Sequence, residues 1–131
     1  MSASLNRQAF IGGALSCALA IAAGAFGAHA LEGQVSARSL ELWRTAALYL
    51  AFAGFGQLAA GLAPAVSDGS AVGSFRLAGH LLLWGGLIFA GTVFALALGA
   101  PSWLGAVTPL GGSALLAGFV FLAVGGWRAS R

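Results

Sequence analysis

The chain has 131 residues, of which 60% are hydrophobic and only 7% charged. Soluble domains carry about a quarter charged residues, so this chain cannot cover a water-facing surface, and its solvent is lipid. Its net charge of +3 comes from six arginines against three acids. Those arginines sit singly at the ends of apolar runs, which speaks against the clustered phosphate contacts of a nucleic-acid interface.

Four apolar runs follow one another along the chain, at about 8–31, 45–63, 77–99 and 109–127. None contains Asp, Glu, Lys or Arg, and each is near the roughly 20 residues that a helix needs to cross a hydrocarbon core. They lack the short alternating segments of a membrane barrel. The expected fold is therefore an all-α membrane protein, residues 1–131 forming one domain with four transmembrane helices in a bundle. The 21 glycines fit that reading, because small residues let membrane helices approach closely. The single cysteine, Cys17, leaves no intramolecular disulfide and no cysteine metal cage, and it reads as a small hydrophobe.

The first run carries a ladder of small residues four apart, Gly12, Ser16, Ala20, Gly24 and Ala28. This small-xxx-small pattern predicts a helix-packing face. The stretch Gly24-Ala25-Phe26-Gly27-Ala28 is no phosphate loop, since it lacks the Lys-Ser/Thr pair and follows no strand. Arg7, the apolar run and Ala28-His29-Ala30 also look like a signal peptide. The run is longer than the roughly 7–15 residues of such a region, so a retained helix is expected.

Between the first two runs, Ser36 precedes a stretch that reads as a short interfacial helix capped by that serine. Leu40, Trp43 and Ala47 would share one of its faces. Residues 64–74 form a loop with the turn pair Asp68-Gly69. Residues 100–103 join the last two runs without charge, and Trp103 there is placed to anchor in the headgroup zone. An even number of spans puts Arg7, Arg76, Arg128 and Arg131 on one side, and Arg38 and Arg44 on the other. The excess predicts both termini in the cytoplasm.

The stretch Gly24-Ala25-Phe26-Gly27-Ala28-His29-Ala30-Leu31 resembles the signature ending the first helix of the domain of unknown function 423 family, the small bacterial membrane proteins that include the transmembrane protein 256-like group. Trp43-Arg44-Thr45-Ala46 with Tyr49 is similar to the start of that family's second helix. The run from Trp103 to Gly112 is similar to the start of its fourth, and Ala90-Gly91-Thr92-Val93-Phe94 to its third-helix small-residue stretch. The resemblance covers about residues 8–125. It implies a four-helix fold in the bacterial cytoplasmic (inner) membrane, and it carries no biochemical activity. The family commonly has a histidine where this chain has Ala53, and the 64–74 loop is longer than the resemblance implies.

The candidate polar residues are His29, Glu32, Tyr49 and Thr108. His29 and Glu32 lie three apart and would share a helix face. An imidazole there could relay protons or bind a headgroup. The plainer reading is a histidine that hydrogen-bonds Glu32, Tyr49 or the 103–108 loop and ties helix ends together, as polar groups in membranes require partners. His80 has no second ligand at metal spacing, so no metal is expected. Gln57, Thr92 and Ser113 are placed for interhelical hydrogen bonds.

No Ser-His-Asp set, paired carboxylates or Cys-His nucleophile is visible, so neither an enzyme nor a cofactor is expected. The leading expectation is a structural or accessory subunit that packs through small-residue faces. Its partners would be membrane lipid and either itself or other membrane subunits. The alternatives are an oligomeric small-solute or proton carrier with His29 and Glu32 near its mouth, and a lipid- or quinone-binding protein with a groove near Trp84 and Phe89.

Overall fold

The computed structural model describes residues 4–129; of the arginines counted for orientation, Arg131 lies outside the described residues. Four long helices run α1 (Arg7–Phe26), α2 (Ala37–Leu62), α3 (Val72–Ala97) and α4 (Thr108–Ala129). With their flanking turns, all four are long and apolar enough to cross a membrane, in agreement with the four apolar runs.

Each boundary has a local cause. Asn6 caps α1 by accepting from the Ala9 amide at 3.3 Å, while its own amide donates to the Gly61 carbonyl at 3.0 Å. The start of α1 is thus tied to the end of α2. Ser36 caps α2 through a 3.1 Å bond from the Ser39 amide. At the end of α3, Gly99 takes φ +91°, and the Ala100 amide reaches back to the Ala95 carbonyl at 3.0 Å. That pairing satisfies otherwise orphaned carbonyls and needs a left-handed residue, which glycine supplies without strain.

The expected interfacial helix does not stand apart. Ala37–Leu62 is one continuous helix of 26 residues, because no proline or glycine interrupts it before Gly54. At 1.5 Å per residue it is about 39 Å long, against a hydrocarbon core of about 30 Å. The excess length leaves room for its first turns, which carry Arg38, Glu41 and Arg44, to lie outside the core.

The helices pack in series, α1 on α2, α2 on α3 and α3 on α4, with lighter contacts between α1 and α3 and between α2 and α4. Backbone-to-backbone approach at glycines makes this possible. A β-carbon on Gly13 would lie 2.7 Å from the Gly54 carbonyl oxygen, and one on Gly85 would lie 3.0 Å from that of Gly111. Leu82, fully buried, fills the centre against Gly56 and Gly118. Ala53 is also fully buried, with its β-carbon 2.6 Å from where one on Gly86 would sit. An imidazole at that position would need α2 and α3 to move apart, so Ala53 suits this helix spacing.

The packing stripe of α1 differs from the ladder read in the sequence. The buried residues are Ala9, Gly13, Ser16, Ala20 and Gly27. Of the ladder, Ser16 and Ala20 face inward, Gly12 is half-buried, and Gly24 and Ala28 are exposed. Steps of four overshoot the roughly 3.6-residue turn and wind around the helix, whereas the observed stripe mixes threes and fours.

Candidate functional site

Three polar or aromatic groupings interrupt the apolar interior. The first closes the end of α1. Gly27–Leu31 forms a π turn, in which the Glu32 amide donates to the Gly27 carbonyl at 3.1 Å. Trp43 of α2 lies across it. Its Nε1–H donates to the Ala23 carbonyl at 2.7 Å, and its ring meets Phe94 edge-on at 4.5 Å and Phe26 at 5.7 Å. Above this cluster, Glu32 faces Arg44 at 3.9 Å and Arg38 faces Glu41 at 3.9 Å. Both pairs are well exposed and add little stability.

His29 sits exposed on the π turn, and its side chain makes no hydrogen bond or ion pair with a described residue. The expected contact with Glu32 assumed a regular helix. Glu32 has ψ 125°, so it leaves the helix and turns to Arg44. Tyr49 lies farther along α2, with its ring 4.7 Å from Phe89 and 5.8 Å from Phe52. Of the four candidates, the structure therefore brings Glu32 to Arg44, Tyr49 to Phe89 and Thr108 to Thr92, but does not gather them into one site.

The second grouping is that threonine pair. Thr92 and Thr108 hydroxyls are 2.8 Å apart and link α3 to the start of α4. Each also reaches a carbonyl of its own preceding turn, Thr92 to Ile88 at 2.8 Å and Thr108 to Leu104 at 3.3 Å. One proton bridges the hydroxyls and the other goes to a carbonyl, so the pair is satisfied.

The third grouping was not assembled from the sequence. Gln57 is 1% exposed, and its Nε2–H donates to the Ser16 hydroxyl at 3.4 Å. Around it lie Asn6 and Gln8 of α1, and Arg76 and His80 of α3. The glutamine itself, alone in an apolar run, was a visible signal. Its neighbours come from two other helices, α1 and α3, and their meeting depends on how those helices pack beside α2.

An open apolar groove of about 510 Å³ runs beside the tryptophan cluster, lined by Leu19, Phe26, Trp43, Phe94 and Leu98 among others. It lies away from Trp84, which is exposed, and from Phe89.

Four membrane-length helices with no charged residue inside the apolar runs define a small integral membrane protein. The chain belongs to the family described as protein of unknown function (DUF423), which it matches over residues 23–112. It is 36% identical over 116 residues to a UPF0382 membrane protein of Staphylococcus saprophyticus, covering 88% of this chain and 93% of that one. To the UPF0382 membrane protein YwdK of Bacillus subtilis it is 37% identical over 113 residues, covering 86% and 89%. A UPF0382 membrane protein of Staphylococcus epidermidis is 38% identical over 112 residues, covering 86% and 88%. No solved structure matches the chain significantly.

Proposed function

We propose that this protein is a structural or accessory subunit of the bacterial cytoplasmic membrane, with both termini in the cytoplasm, which packs against a second copy or a larger membrane complex. The observation that carries this reading is the unused half of the α1 ladder. Gly24 and Ala28 are exposed, and a β-carbon on Gly24 would meet nothing within 4 Å. Small residues spaced by four on a lipid-facing helix allow close approach of another helix. The reading assigns no catalytic residue and no cofactor. It is tested by Gly24→Cys in a Cys17→Ala background, cross-linked by oxidation in native membranes. A covalent dimer or a cross-linked partner supports it; a wholly monomeric product at normal expression counts against it.

A second reading rests on the groove beside Trp43. Its apolar lining and open side suit the tail of a lipid or an isoprenoid quinone. That reading predicts co-purification of such a molecule, with less retained when Phe94→Ala removes one wall.

A further inference from the structure

Gln57 is the one described residue with a buried side-chain polar atom that lacks a partner: its Oε1 accepts no hydrogen bond. An amide carbonyl taken out of water without a donor is costly, and such groups generally find ordered water or protein. The position of Oε1 says where the missing donor belongs. Nε2 is held by Ser16, whereas Oε1 points to Gly12, where a β-carbon would lie only 2.8 Å from it. Gly12 is one helical turn nearer the start of α1 than Ser16. One turn farther out, Gln8 lines a nook of mixed character, with Asn6, Arg76 and His80 as its other polar walls, Ala9 and Leu83 as apolar ones, and Gln57 itself.

The size of the nook selects its occupant. It offers about 10 Å³ to a water-sized sphere, close to the minimum of about 10–15 Å³ that a single water requires. A phosphate or a sugar ring does not fit. Chemistry agrees with size. With the amide as it stands, the free end is an acceptor. Turned over, Ser16 would donate to Oε1 and the free end would be an N–H. Water serves both arrangements, because it donates and accepts, whereas a metal cation or a halide serves only one. Gln8, Arg76 and His80 are exposed, so the nook opens outward at the end of the molecule where α1 begins.

We propose that this nook is a water-binding site whose floor is the Gln57 amide, and that water enters from the side of Arg76 and His80. Gln57 is five residues from the end of α2 at Leu62, so the site carries water about 7–8 Å below that helix end. It stops there, since the close backbone contact of Gly13 with Gly54 seals the space beyond. His80 thereby keeps a polar neighbourhood on a transmembrane helix.

The test uses full-length protein with glutamine side chains labelled with nitrogen-15, in liposomes, and measures magnetisation transfer from water to side-chain amides by solid-state NMR. The chain has three glutamines, Gln8, Gln34 and Gln57, and Gln57→Met identifies the relevant signal by its loss. The expected result is transfer to Gln57 with a build-up similar to that of exposed Gln34, although Gln57 is buried. Transfer to Gln57 from lipid protons alone, or none at all, overturns the proposal. Gly12→Ala gives an independent reading, because its methyl takes the space beside Oε1. In that variant, loss of the Gln57 water transfer with the Gln34 signal intact supports the site, and unchanged transfer in the folded variant overturns it.

Discussion

The indole of Trp43 occupies the space that a β-carbon on Gly27 would need, its Cδ1 lying 2.7 Å from that position. The ring therefore rests on bare backbone, close enough for its N–H to reach the Ala23 carbonyl. The end of the first helix and the start of the second are in contact here. Gly27→Ala should destabilise the protein by about 1–3 kcal/mol, as overpacking does. Trp43→Phe should cost about 1 kcal/mol for the lost hydrogen bond. Unfolding in mild detergent would measure both. The Gly27→Ala penalty should shrink in a Trp43→Ala background, because the clashing ring is gone.

Glycines of this chain divide into those that hold helices together and those that do not. A β-carbon on Gly111 would collide with the Phe89 backbone, whereas one on Gly91 would meet nothing within 4 Å. Gly111→Ala should therefore separate α3 from α4 and lower stability by at least about 1–3 kcal/mol. Gly91→Ala should be neutral or stabilising by about 0.5–1 kcal/mol, through reduced backbone entropy. Thermal unfolding of the two variants side by side distinguishes them.

The threonine pair supplies a polar link between α3 and α4. Thr92→Val and Thr108→Val should each cost about 0.6 kcal/mol, the average for interhelical hydrogen bonds in a membrane. The double variant should cost about as much as either single one, since both remove the same bond. A double-mutant cycle would show that coupling; fully additive losses would mean that the two hydroxyls act separately.

In the connection between α2 and α3, hydrogen bonds from the Ser70 hydroxyl and, second, from its backbone amide hold the Asp68 carboxyl below the usual aspartate range. A lowered folded-state pKa means that this contribution is present above the unfolded value and is lost as pH falls through the folded one. The loop should hence loosen only in acid below the ordinary aspartate pKa. Ser70→Ala should raise the Asp68 pKa toward that ordinary value, as NMR titration of the carboxyl would show.

The spans were legible because lipid imposes one demand, an uncharged apolar helix of sufficient length, that composition alone reveals. Ser36 was legible as a cap for a similar reason, because capping is local chemistry. Where α2 begins was less so: Arg38, Glu41 and Arg44 look like a boundary, yet one unbroken helix runs through them. The α1 ladder matches the packed face within this chain only in part, because fours alone ignore the helical pitch, which puts Ala9 and Gly13 on that face and leaves Gly24 exposed. The expected His29–Glu32 contact failed on a π turn that no residue pattern announced. The nook at Gln57 depends on three helices crossing, which a linear reading cannot assemble.

The most direct test of the proposed subunit role is native mass spectrometry of the protein released from its own host membrane in mild detergent. The chain weighs 13.0 kDa. A defined assembly above that mass, either a homo-oligomer or a complex with other subunits, is the predicted result. A bare 13.0 kDa monomer accompanied only by lipid would contradict it.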